Sequence, residues 1–315
     1  MKKILFISAL VLSLLSCGNR GGVAELKKER HIRPVEIPAV MKGSGEAVSY
    51  AAEHFWDSFF SGGGQTDTGA VLGVRNGELH GALAAYLEIL LPLPLEEGRK
   101  NVRALFGNIE KKQEEDTSSR VYMRMTELVS DYLYDPNSPY RDEDLYLPFV
   151  QGMLSSPFTM ENVKAGYRFE EEMGGLNERG SVAANFRFKD LKGRKLDLYG
   201  IDTEYVLLFF SNPGCRSCGE IGEKLQGSSK VADLQDAGRL KVLNVYIDEE
   251  LEKWRKAASE YPSEWLSVYD YEFLIRENTV YYVRAIPSLY LLGPGKKVVL
   301  KDAPVERTLE YLNNL

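Results

Sequence analysis

Six apolar residues run without a polar break at 205–210, Tyr-Val-Leu-Leu-Phe-Phe, and Ser-Asn-Pro-Gly-Cys-Arg-Ser-Cys-Gly-Glu follows. A strand of that composition cannot leave one face in water, so it belongs at the centre of a sheet covered on both sides. The turn residues Asn212, Pro213 and Gly214 end it, and the pattern after them restarts as a helix near Cys215. Strand, tight turn and helix N-terminus therefore fall on a Cys-x-x-Cys pair, Cys215 and Cys218.

The surrounding sequence predicts an α/β domain over 178–315. SVAANFRFKDLKGRKLDLYG alternates like a hairpin that turns at Lys192-Gly193. LKVLNVYID (240–248) reads as a second buried strand and LEKWRKAASEY (251–261) as an amphipathic helix. IPSLYLL (286–292) and KKVVLKD (296–302) read as strands joined by Gly293-Pro294-Gly295, and PVERTLEYLNNL (304–315) as a closing helix. The order is β-β-β-α-β-α-β-β-α. Helices between strands require a parallel pair, and the short Gly-Pro-Gly link an antiparallel one, so the central sheet is mixed.

Residues 44–175 read differently. AVSYAAEHFWDSFF (47–60), ELHGALAAYLEILL (78–91), NVRALFGNIEKK (101–112) and SRVYMRMTELVSDYLY (119–134) place apolar residues three and four apart. Two shorter helices are expected at 145–155 and 159–173. The expectation is an all-α domain whose aromatics Phe55, Trp56, Phe59, Tyr86, Phe106 and Tyr132 form its core. The fold class is thus α+β with two domains, the N-terminal one helical and the C-terminal one α/β. A net charge of −7 gives no basic face for nucleic acid.

The N-terminus has a charged start, Met1-Lys2-Lys3, and an apolar run from Ile4 to Leu15 that is too short to span a bilayer as a mature helix. It ends in Leu14-Leu15-Ser16-Cys17, which resembles the lipobox of bacterial lipoproteins. The resemblance implies a signal peptide over 1–16, cleavage before Cys17 and acylation of that thiol. Residues 17–43 then form a lipidated tether. No acidic run follows Cys17, so an inner- or outer-membrane lipoprotein facing the periplasm is expected rather than surface export.

The chain has three cysteines. With Cys17 acylated, Cys215 and Cys218 are each other's only partners, in a compartment where disulfides form. A zinc site needs four ligands, and the three histidines, His31, His54 and His80, lie in the tether and the helical domain. The same placement leaves Cys215 without a base for Cys-His hydrolysis. An inert staple would close only a three-residue step and gain little chain entropy. A redox dithiol fits best. A helix N-terminus offers free N–H groups and partial positive charge that favour a thiolate. Cys215 is then the nucleophile, and Cys218, one turn on and deeper, the resolving thiol. Arg216 adds a nearby positive charge.

YVLLFFS, NPGCRSC and the later AIPSLYLL resemble the thioredoxin fold, most closely the TlpA-like, membrane-anchored thiol–disulfide oxidoreductases. The resemblance covers about 178–315. It implies a cis bond at Ile286-Pro287, 72 positions beyond the first cysteine (287 − 215), standing against the dithiol and leaving a backbone edge free for substrate. The architecture as a whole resembles Bacteroidetes lipoproteins with an N-terminal helical domain of unknown function. The chain departs from the pattern at several places. Gly214 replaces the Trp that precedes the first Cys, and Arg216-Ser217 replaces Gly-Pro. Phe209 stands where thioredoxins bury an Asp, and Ile221 where many TlpA-like proteins bury a Glu. Gly214, Arg216 and Ser217 are expected to modulate the redox potential.

The resemblance implies a reductase of disulfide-containing envelope proteins rather than an oxidase or isomerase. Its redox group is the disulfide itself, with no cofactor and no metal. Electrons would come from a membrane donor of the DsbD type, since the chain has no dinucleotide fingerprint. Two alternatives stand beside it. One is a binding or assembly lipoprotein with little turnover. The other is a thiol peroxidase, which lacks a hydroxyl beside Cys215 because Asn212-Pro213-Gly214 precedes it.

Overall fold

A computed structural model of the chain describes residues 29–277 and 279–315. The signal-peptide and acylation expectations, Cys17 included, lie outside the described residues.

The N-terminal domain contains α1 (Glu46–His54), α2 (Asp57–Phe60), α3 (Asn76–Leu90), α4 (Leu95–Glu115), α5 (Val121–Leu133), α6 (Glu143–Ser155) and α7 (Lys164–Gly174). The apolar stripes meet in one core that includes Trp56, Phe59, Tyr86, Phe106, Met125 and Phe149, all buried, with Phe55 and Tyr132 packed at its margin. Two details differ from the sequence reading. The expected helix over 47–60 breaks at Phe55-Trp56, because Trp56, Phe59 and Phe60 all turn inward and a straight helix cannot face all of them to one core. A small antiparallel ladder, β1 (Ala70–Val71) with β2 (Val74–Arg75), interrupts what reads as all-α. Its turn needs positive φ at Leu72 and Gly73, and only the second is a residue made for it.

Residues 30–33, within the stretch expected as tether, are bonded to this domain. The Arg30 guanidinium donates to the Leu72 and Ser58 carbonyls, and the Ile32 N–H donates to the Glu78 carboxylate.

The C-terminal domain is a seven-stranded mixed sheet of β3 (Arg187–Asp190), β4 (Lys195–Asp197), β5 (Tyr205–Phe210), β6 (Leu240–Tyr246), β7 (Leu266–Tyr269), β8 (Ser288–Leu292) and β9 (Val298–Leu300). The strand order is β4-β3-β7-β6-β5-β8-β9. As the connections require, β5 runs parallel to β6, and β8 antiparallel to both β5 and β9. The β3–β4 hairpin turns at Gly193, which has φ 75°. Strand β7 was not expected. Its four residues, Leu-Ser-Val-Tyr, are too short to show a period, and they owe their place to parallel pairing with β6.

Every residue of β5 is buried, and alternate side chains serve different cores. Val206, Leu208 and Phe210 join one face with Phe186, Phe188 and Tyr281. Leu207 and Phe209 join the other, under α8 (Arg216–Gln226), α9 (Ser229–Asp236) and α11 (Val305–Asn313). A further helix, α10 (Leu251–Ala258), packs Trp254 on Tyr246 and Tyr269.

The segment joining the domains lies along the outer edge of β9. Gly180 and Ala183 donate to the Val298 and Lys296 carbonyls, and Val298 donates back to Ser181. Buried ion pairs then join the domains. Arg284 and Lys301 both meet the Glu143 carboxylate, at 2.7 and 2.9 Å, and all three side chains are at most 5% exposed. Beside them, Arg307 meets Asp142 at 2.7 Å, and the Lys301 ammonium donates to the Gly174 carbonyl.

Candidate active site

Strand β5 ends at Phe210, and the chain turns through Ser211 to Gly214. The Ser211 hydroxyl bonds the Asn244 side chain on β6, and the Asn212 amide donates to Asp248 at 2.6 Å. Both contacts fix the exit from the sheet. Gly214 has φ 73°, in the left-handed region where a side chain is strained. Its freedom lets the backbone reverse and present Cys215 as the N-cap of α8.

Cys215 has extended backbone angles, and its sulfur accepts from the Cys218 N–H at 3.1 Å. This is the position where a helix offers unsatisfied donors. Sulfur therefore occupies the place that Ser or Asp usually takes. Cys215 and Cys218 are joined in a disulfide, with Cα atoms 5.2 Å apart. Cys218 is 1% exposed, whereas Cys215 is half-buried, so the two sulfurs differ in access as a nucleophile and a resolving thiol must.

Ser288, the first residue of β8, is the register partner of Phe210, the last residue of β5. The preceding Ile286-Pro287 bond is cis. Register thus brings Pro287 to the end of the sheet where the dithiol turn leaves. Ile286 packs against both cores, including the one that contains Cys215 and Cys218.

The remaining sequence-singled positions are also placed. Arg216 is 92% exposed and pairs with Glu220 at 2.9 Å along the outer face of α8, and Ser217 is exposed beside it. Phe209 is fully buried, edge-on to Tyr261 and Trp265, and Ile221 packs on the same core. An apolar wall thus stands where related proteins are expected to bury a carboxylate.

The structure adds residues that the sequence reading did not single out. The Ser288 hydroxyl donates to Asp302 at 2.7 Å, and Asp302 accepts from Arg284 at 2.8 Å. Asp302 in turn begins the connection from β9 to α11. Burial pushes the Glu143 carboxyl up, with Lys301 and Arg284 pulling the other way. Burial also acts on Asp142, but Arg179 and Arg307 outweigh it and hold that carboxyl below its ordinary range.

The fold as a whole has a relative. The chain is similar to a solved thioredoxin-like protein from Bacteroides caccae, with 33% identity over 91% of this chain and 99% of that one, at a TM-score of 0.75. The chain belongs to the thioredoxin-like proteins. It is also similar to the C-terminal domain of an uncharacterized protein from Bacteroides fragilis, 42% identical over 44% of this chain and 98% of that one (TM-score 0.43). A further likeness is to the thioredoxin domain of a thiol-disulfide oxidoreductase from Bacteroides vulgatus, 26% identical over 44% and 96% of the two chains (TM-score 0.39). A family model described as a domain of unknown function, DUF5106, matches residues 17–173. No curated protein matches the chain. This thioredoxin-like protein therefore carries its dithiol and cis proline at one end of the sheet, with a DUF5106 domain attached beside them.

Proposed function

We propose that the protein is a thiol–disulfide oxidoreductase that reduces substrate disulfides through Cys215 and Cys218. The observation that carries this reading is the placement of a half-exposed Cys215 at a helix N-terminus, bonded to a buried Cys218, at the sheet end that also holds cis Pro287. In the reduced protein the Cys215 thiolate attacks one sulfur of a substrate disulfide. That S–S bond breaks, the departing sulfur leaves as a thiolate and takes a proton from solvent, and a mixed disulfide forms. Cys218, as thiolate, attacks the Cys215 sulfur, releases the second substrate thiol and closes the Cys215–Cys218 disulfide. Two electrons pass to the substrate. An outside dithiol, of the DsbD type in this reading, must return them. The exchange uses only sulfur atoms of the chain and its partners, so it requires no bound cofactor.

Direction is part of the proposal. A reduction potential near thioredoxin's, about −270 mV, supports a reductase, and one near about −120 mV would make the protein an oxidant instead. The trapping test is Cys218→Ser, which stops the reaction at the mixed disulfide. Covalent adducts with envelope proteins, reversed by dithiothreitol, are expected. Their absence, together with insulin reduction no faster than free dithiothreitol achieves, would overturn the reading.

The location proposed is a lipid-anchored, periplasm-facing one, supported by the Leu14–Cys17 sequence alone. Cys17→Ala should abolish incorporation of labelled palmitate and release the protein from the membrane fraction. Unchanged membrane association in that variant would count against the anchor.

A further inference from the structure

The backbone between β7 and β8 has no regular strand or helix over the described residues of 270–287, so no sheet or helix ladder fixes the path into Pro287. Its own domain holds it at a few points, including the Tyr281 hydroxyl on the Ala184 carbonyl and the Tyr290 hydroxyl on the Tyr282 carbonyl. The helical domain holds the rest. The hydroxyls of Tyr134, at the end of α5, and Tyr282 are 2.9 Å apart. The Phe169 ring of α7 stands edge-on to Tyr282 at 5.8 Å. The Arg284 guanidinium lies over the Tyr134 ring at 4.5 Å and against Glu143 at 2.7 Å. From the other side Asp302 takes Arg284 at 2.8 Å and the Ser288 hydroxyl at 2.7 Å. Residues on both flanks of Pro287 are thus fixed through one buried guanidinium. Arg284 cannot leave without stranding two carboxylates out of water.

We propose that the helical domain is a positioning element for the substrate-binding edge at Pro287. Glu143 and Tyr134 act as positioning residues through Arg284. They set the segment that receives a peptide carrying the target disulfide, and leave the sulfur chemistry at Cys215 untouched. The inference rests on the oxidoreductase reading above and assigns the DUF5106 region of this chain a role in it. It also narrows the substrate class: disulfides embedded in extended polypeptide, which need a backbone edge, depend on the helical domain, and small disulfides do not.

The test uses the full chain. Glu143→Gln leaves two buried cations without their carboxylate and risks the fold, so the working variant is Tyr134→Phe with Phe169→Ala. It removes one hydroxyl and one half-exposed ring and keeps the aromatic face under Arg284. The reduced protein is mixed with a disulfide-bonded peptide and, separately, with hydroxyethyl disulfide, and its oxidation is followed by tryptophan fluorescence. The variant is expected to lose about tenfold in rate with the peptide and less than twofold with hydroxyethyl disulfide. Its reduction potential should not change, and amides over 280–287 should exchange hydrogen faster. Equal losses with both disulfides, no loss with either, or unchanged exchange would overturn the proposal. A wild-type protein that reacts with neither disulfide would instead overturn the oxidoreductase reading on which it stands.

Discussion

The Arg284 guanidinium lies 2.7 Å from Glu143 and 2.8 Å from Asp302, and it bridges the helical domain and the sheet just before the cis bond at Pro287. Charges this deeply buried are stable only while paired. Losing one partner leaves the others uncompensated and typically costs about 3–5 kcal/mol.

Glu143→Gln should therefore destabilise the protein by about 3 kcal/mol or more, read as a lower urea midpoint. Phe169→Ala, at a half-exposed ring, should cost under about 1 kcal/mol. A neutral result for Glu143→Gln would show that the pairs contribute no more than surface ion pairs do.

Once the disulfide is reduced, iodoacetamide should find Cys215 first. Cys218 is 1% exposed and packed with Phe209 and Leu225, so its alkylation should lag by about tenfold or more. Mass spectrometry of peptides from a quenched time course reads the order directly. Equal rates would remove the division into nucleophile and resolving thiol.

Phe209 fills the space between β5 and the aromatic pair Tyr261 and Trp265. Phe209→Ala should cost about 3–5 kcal/mol by leaving a cavity that the sheet cannot close. Phe209→Asp should cost at least as much, because no buried cation or donor stands ready for the carboxylate. Thermal melts of the oxidised proteins decide it.

Asp142 gives the domain junction an acid dependence. Burial alone would raise its carboxyl, but Arg179 and Arg307 hold it below the ordinary 3.8. As pH falls, the unfolded chain takes up this proton before the folded one does. Stability from Asp142 is therefore complete above about pH 4 and is lost as pH drops through its lowered pKa. The stability gap between wild type and Asp142→Asn should shrink across that window. A gap constant between pH 5 and pH 2.5 would contradict it.

Much of this arrangement is legible in the chain itself, for reasons that can be named. YVLLFF predicts a doubly covered strand because its burial is uniform, and β5 occupies those six positions. The N-cap position of Cys215 follows from Pro213-Gly214 and the helical pattern after it. The cis bond at Pro287 comes from family resemblance and not from any periodicity. The junction was not legible. Asp142, Glu143 and Asp144 sit at the polar start of α6 and read as a turn, because a carboxylate beside its helix N-terminus needs no distant partner to explain it. Its cations arrive from Arg284, Lys301 and Arg307, and no local pattern signals a pairing across two domains. The same limit hid β7, whose four residues become a strand only beside β6.

The linker's ladder with β9 decides where the protein can be cut. A fragment starting at residue 186 would keep all seven strands but strip Gly180, Ser181 and Ala183 from the rim of β9. That rim would then be a bare, hydrogen-bond-hungry border, open to the same border on another molecule. A fragment starting near residue 176 brings its own selvedge with it. Residues 176–185 thus belong to the cloth of the sheet, and the seam between the two domains runs along the end of α7.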